Sequence, residues 1–289
     1  MNWRWLKWLG LGLGGALALG ALWPKRLRFS AWTGQAAIDQ PAHALELAKR
    51  YQLDGLDLVL NDATQGEPFR FSRPPAAIAA AVELWQAAGL SVAFTTWGVP
   101  EASWLAGMPQ VGALAKQCGV KLVTLDLEER WMAGLRPLSA LERFDWTART
   151  FEGLRAGGYR GEVGVTCIVY ADLAVLSPAL EACDVIIPQA YATVKNVPSS
   201  APGTLERTAL ERYRRFGKRL ILGAAAWNLE GAYQLPALQA LVASLDAAKA
   251  LGVPEVRFWR LEFLDDAGVG ETLVAWRSGD FSQAGRAVA

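Results

Sequence analysis

The chain has 289 residues, with 29 basic and 28 acidic side chains and a formal net charge of +1. That balance lacks the basic excess by which nucleic-acid binding is recognised, and a hydrophobic share of 52% is enough for a large core. Three cysteines without CxxC spacing argue against a disulfide framework or a zinc site, and the one histidine, His43, removes most His-based metal centres, Ser-His-Asp triads and Cys-His pairs.

Residues 1–26 read as a membrane segment. Arg4 and Lys7 precede an apolar run from Trp8 to Trp23, slightly shorter than a typical span of ~20 residues. Trp3, Trp5, Trp8 and Trp23 bracket it as interface aromatics do. A cleaved signal peptide and a buried helix compete with this reading. Pro24, Lys25, Arg26 and Arg28 follow where a cleavage region would be small and neutral, which favours an uncleaved signal anchor with the rest exported. The Gly/Ala-rich run resembles in composition the signal-arrest-release segments of some phage endolysins.

From Leu27 onward, apolar strands alternate with helical patterns, which implies parallel strands joined by helical crossovers. Eight strands are predicted: Leu27–Thr33, Gly55–Asn61, Leu90–Trp97, Lys121–Glu128, Glu162–Tyr170, Asp184–Tyr191, Arg219–Trp227 and Glu255–Phe263. Helices are predicted between them, among others over Pro41–Tyr51, Pro75–Ala88, Leu138–Ala156 and Leu235–Ala250. Gly89, Gly119 and Gly252 stand where helix C-caps belong. The expected fold class is therefore α/β: a (β/α)8 TIM-type barrel over residues 27–278, preceded by the anchor helix and followed by a flexible tail over 279–289. An open doubly wound sheet is the alternative, but no GxGxxG or GxxxxGK[ST] phosphate loop is present.

Strand side chains alternate between faces. On the fourth strand Leu122, Thr124, Asp126 and Glu128 share one face, and Val123, Leu125 and Leu127 the other. The apolar set should pack on the outer helices, leaving Asp126 and Glu128 inward near the strand's C-terminal end, where barrel active sites lie. The same parity groups Gly55, Asp57, Val59 and Asn61 on the second strand and Thr95 with Trp97 on the third. It groups Val185, Ile187, Gln189 and Tyr191 on the sixth, and sets Arg260 and Glu262 opposite Trp259, Leu261 and Phe263 on the eighth. Parity on the seventh is ambiguous, and Trp227 or Asn228 could reach the cleft. Carboxylates among Tyr, Gln and Trp suit a carbohydrate: polar groups bind hydroxyls and aromatic faces stack on rings. A solvent-exposed strand end, or a barrel-closing pair of Arg260 and Glu262, is the purely structural alternative.

The D-x-E at Asp126–Glu128 and the P-Q-A-Y at Pro188–Tyr191 resemble glycoside hydrolases of barrel type. Family 18 chitinases carry D-x-x-D-x-D-x-E on strand 4 and M-x-Y on strand 6. Here Lys121 and Thr124 occupy the first two acidic positions, Gln189-Ala190-Tyr191 stands in place of M-x-Y, and Ala192 replaces an Asp often found after it. Family 25 lysozymes share the D-x-E and a phrase like Ala63-Thr64-Gln65-Gly66, but their inward Asp on the first strand is missing; Ser30 and Trp32 stand there. The run from P-Q-A-Y through Ala225–Asn228 to Val256–Trp259 is also similar to peptidoglycan-hydrolase barrels.

The resemblance implies Glu128 as general acid, Asp126 as its partner, and Tyr191 and Gln189 as binders of an acetamido group or ring oxygen. The substrate's own acetamido oxygen would be the nucleophile; in a two-carboxylate scheme Glu262 or Asp57 would be the second group. Trp97, Asp57, Asn61, Trp227, Arg260 and Glu262 complete the expected substrate contacts. With the anchor, this points to a monomeric muramidase or related peptidoglycan glycosidase held on the exported side of a membrane, with no cofactor. An inactive sugar-binding barrel and an enzyme of other chemistry remain as rivals. Lys121 and Lys218 are badly placed for a Schiff base, whereas carboxylate-only Mg2+ or Ca2+ binding stays open.

Overall fold

The computed structural model of the protein describes residues 26–61, 69–191, 203–226, 237–265 and 268–280. Short β-branched and apolar runs form parallel strands β1 (Arg28–Thr33), β2 (Gly55–Val59), β3 (Ser91–Trp97), β4 (Leu122–Asp126), β5 (Glu162–Ile168), β6 (Val185–Gln189), β7 (Arg219–Leu220), β8 (Leu222–Ala225) and β9 (Glu255–Trp259). β7 and β8 are two pieces of one stave, separated by Ile221, whose N–H still donates to Ile186 O at 3.1 Å. The pairing runs in order from β1 to β6, through β7/β8 to β9, and closes when β9 pairs with β1. Every pairing is parallel, so eight staves form a closed barrel with helices outside, the (β/α)8 architecture expected.

The alternation along β4 is realised. Val123, Leu125 and Leu127 pack in the large core between barrel and helices, while Leu122 belongs to a separate inner core with Trp32, Ala93, Val185, Ile187 and Ile221. The ambiguous seventh stave resolves the same way: Leu222 and Ala224 face outward, Ile221 inward. Gly223 faces Trp32; a Cβ there would lie 3.3 Å from the indole and 3.1 Å from Pro188 O.

Helix ends follow their sequence signals. Gly89, Gly119 and Gly252 have φ of 88°, 64° and 69°. The next residue in each case donates back to the helix, as Val120 N does to Ala115 O at 2.9 Å. The helix expected over Leu138–Ala156 runs Ala140–Ala156, started by a Ser139/Glu142 capping box, with a short helix Glu129–Leu135 ahead of it.

The eighth predicted strand needs correction. It ends at Trp259, and a 3-10 turn spans Leu261–Asp265. Alternation therefore stops before Arg260 and Glu262. The inward set is Glu255, Arg257 and Trp259; Val256 and Phe258 pack outward. Arg257 pairs with Asp57 and with Glu255 (3.0 Å), and lies against the Trp32 ring at 5.6 Å. Among the described residues no helix is long and apolar enough to cross a membrane. The expected anchor, apart from Arg26, and the tail beyond Asp280 lie outside those residues.

Candidate active site

β4 delivers Asp126 to the C-terminal mouth of the barrel, and the chain then turns. Glu128 is the extended N-cap residue of the helix Glu129–Leu135, with φ −91° and ψ −156°. Glu128 is thus half-buried two residues past the strand, whereas Asp126 is buried. The Gln189 amide, from the end of β6, donates to Asp126 Oδ1 at 3.1 Å and to Thr166 Oγ1 at 3.3 Å.

Burial raises the pKa of Asp126 well above that of an ordinary carboxyl, and the charges of Glu128 and Asp57 push the same way against the Gln189 hydrogen bond. Glu128 is raised too, by burial first; its hydrogen bond with Gln189 opposes the shift and the charge of Glu129 adds to it. Tyr191 follows Gln189 into the same space. Burial and the nearby carboxylates hold its phenol firmly protonated. Two carboxyls that disfavour ionisation together, beside a fixed amide and a phenol, can supply a proton to a bound oxygen.

A cavity of about 360 Å³ opens on the β1–β3 and β9 side of this pair, lined by Trp97, Trp259, Asn61, Gln35, Arg260 and Glu262 among others. Trp97 is the register partner of Asp126, so the cavity adjoins the carboxyl pair. Trp32 is packed edge-on against Tyr191, at 6.4 Å between ring centres, and lies 6.1 Å from Trp259. Its indole donates to Thr95 Oγ1 at 3.2 Å, and Thr95 in turn donates to Asp57 at 2.8 Å.

The expected residues therefore separate. Asp126, Glu128, Gln189 and Tyr191 gather around β4 and β6. Trp97, Asn61, Arg260 and Glu262 line the adjoining cavity, the last two from the turn after β9 rather than from an inward strand face. Asn61 also ties β2 to β3: its Oδ1 accepts from Thr96 Oγ1 and Trp97 N, both at 2.9 Å. Asp57 is corrected: it has no exposed surface and is enclosed by Arg257 and Thr95, so it sits beneath the mouth and cannot meet a sugar there. Trp227 lies outside the described residues. Sequence reasoning assigned Trp259 to the outer face and overlooked Glu255 and Arg257. Two charges spaced by two within an apolar strand were the available signal. The barrel-closing ion network is Asp57–Arg257–Glu255; Arg260 and Glu262 form a separate pair at the rim, 3.2 Å apart. Among the described residues no group of three or more His, Cys, Asp or Glu could hold a metal ion.

Neither a family model nor a curated protein matches the sequence. Solved structures do match the fold. A GH113 beta-1,4-mannanase superposes with a TM-score of 0.62 at 10% identity, over 88% of this chain and 98% of that one. The ICChI chitinase from Ipomoea carnea gives 0.58 at 12% identity, over 86% and 99%. The xylanase and alpha-amylase inhibitor protein XAIP-II from Scadoxus multiflorus gives 0.61 at 11% identity, over 86% and 98%. At these identities the likeness establishes the barrel fold, which hosts many functions.

Proposed function

We propose that the chain is a glycoside hydrolase that cleaves an N-acetylated glycan, peptidoglycan foremost, with Glu128 as general acid and Asp126 as its partner. The observation that carries this reading is the Asp126–Glu128 pair at the mouth, both pushed toward the protonated form. A glycosidase acid must hold its proton near neutral pH, and burial with a second carboxyl is the usual means. The aromatic and polar lining of the adjoining cavity supports a sugar ligand. Likeness to a mannanase and a chitinase at the level of fold agrees with it.

In this reading the Glu128 carboxyl gives its proton to the glycosidic oxygen as the bond to the anomeric carbon breaks. The acetamido oxygen of the same sugar attacks that carbon, and water then opens the intermediate, returning a proton to Glu128. Asp126, fixed by Gln189, orients the acetamido group, and Tyr191 binds its oxygen. If the second group is a carboxylate instead, Glu262 is the candidate left at the mouth, since Asp57 is enclosed. Residues 1–26 would anchor a monomeric barrel on the exported side, facing the cell wall.

A second reading is a barrel that binds sugar without cleaving it; the fold-level likeness to a xylanase and alpha-amylase inhibitor protein solved in complex with trehalose supports it. Clearing of purified peptidoglycan by the wild type and by Glu128→Gln separates the two, with the released fragments weighed by mass spectrometry. Clearing by the wild type alone supports the hydrolase. Equal clearing by both removes Glu128 from the mechanism, and binding without turnover by both leaves the sugar-binding barrel.

A further inference from the structure

Two cavities lie side by side at the mouth and share a wall. Beside the cavity next to the carboxyl pair, a second of about 230 Å³ opens between the helices Gln35–Asp39 and Pro41–Arg50 and the 3-10 turn Leu261–Asp265. Ala36 and Glu262 line both. Ala36 is exposed and offers only a methyl group, so the crest between the cavities is low. Glu262 is held in place by Thr33 Oγ1 at 3.3 Å and by Arg260 at 3.2 Å.

The far wall of the second cavity is also preset. Asp265 accepts from Arg50 at 2.9 Å and from Tyr51 at 2.7 Å. Gln40 and His43 stand exposed on its rim, and its floor is made of small or aliphatic side chains, Ala37, Ala44, Leu47 and Leu261. A carboxylate fixed in advance, an amide and an imidazole over an apolar floor match the hydroxyl edge and the apolar face of a sugar ring. None of its described lining residues is Phe, Tyr or Trp, so the ring would be held chiefly by its hydroxyls rather than by stacking.

We propose that this second cavity is a further glycan subsite, which takes the sugar next along the chain from the pair bound on either side of the bond at Glu128. The inference rests on the hydrolase reading and deepens it: the preferred substrate is a polymer whose chain crosses the crest formed by Ala36 and Glu262. Gln40 and His43 would set chain-length preference without touching the reacting bond.

The test is calorimetric titration of the full-length Glu128→Gln protein with the dimer and the tetramer of β-1,4-linked N-acetylglucosamine, alone and combined with Gln40→Trp. Gln40 is exposed between two helices, so the indole fills the cavity without entering the core. The tetramer should bind about tenfold more tightly than the dimer, and Gln40→Trp should erase that advantage while leaving the dimer unchanged. His43→Ala, a surface truncation, should weaken the tetramer alone by a smaller factor. Equal binding of dimer and tetramer, or a tetramer affinity indifferent to both substitutions, would overturn the subsite and leave the hydrolase reading standing. No binding of either sugar would overturn the N-acetylated substrate, and the subsite with it.

Discussion

Glu128 and Asp126 have the same chemistry and different surroundings, and the proposed division of roles rests on that difference. Glu128 is partly exposed and can reach a ligand; Asp126 lies deeper, held by Gln189. Glu128→Gln keeps the shape and removes the proton, so kcat on a soluble N-acetylated glycan should fall by about 10²–10⁴ with KM little changed. In the proposed mechanism the acid works protonated and burial raises its pKa above the ordinary 4.5, so activity should persist beyond the pH where an ordinary Glu ionises and then decline. Asp126, the more strongly raised of the two, is still protonated when Glu128 ionises, so Asp126→Asn should leave that decline close to the wild type's in a pH–rate profile. Asp126 also links folding to pH. Its folded pKa is raised above 3.8, so the folded protein binds the proton more tightly than the unfolded chain. The stability this contributes is complete below that value and is lost as pH rises through the folded pKa. Urea unfolding across a pH series should show the loss flattened in Asp126→Asn.

Among the secondary-structure elements, close approach matters more than propensity. The helices Ala102–Gln117 and Ala140–Ala156 touch through backbone: a Cβ on Gly112 would overlap the Leu154 carbonyl, and one on Gly153 would come within 2.7 Å of Met108 Cβ. Gly112→Ala should favour the isolated helix yet destabilise the protein by about 1–2 kcal/mol, because overpacking outweighs the propensity gain; a lower Tm in calorimetry checks it. Nothing in the sequence marks Gly112 this way, since the contact joins residues 42 positions apart. Helix ends were legible, because Gly89, Gly119 and Gly252 carry local signals. Asp126 and Gln189 were legible as neighbours because alternation is a local rule and β4 and β6 obey it; Glu128 and Tyr191 lie two residues past the ends of those strands. It failed at Arg260 and Glu262, where a 3-10 turn replaced the strand; that turn forms where the chain leaves β9, and no Gly or Pro announces it.

At the scale of the molecule, the order of strands and helices was enough to read a barrel, and its content was not. Barrel interiors are commonly filled by branched apolar side chains. Here the layer beneath the mouth holds Asp57, Glu255 and Arg257, all buried, with Ser30 Oγ donating to Glu255 at 2.7 Å. Burial pushes Glu255 up, but Arg257 and Ser30 outweigh it and hold the carboxyl below its ordinary value. Arg257→Met leaves two buried acids without their cation and should cost about 3–5 kcal/mol in denaturant unfolding. Replacing all three charges with apolar residues of similar volume should cost far less, because no charge is then stranded.

That charged layer straddles β9, β1 and β2, the join where the last stave meets the first. If β9 slid by one residue, Val256 or Phe258 would turn inward and Arg257 would be expelled toward the helices, abandoning Asp57. The layer thus acts as a checksum on closure: it admits one alignment of the final stave and rejects its neighbours. Anyone grafting this barrel's mouth onto another scaffold would have to exchange β1, β2 and β9 as a set.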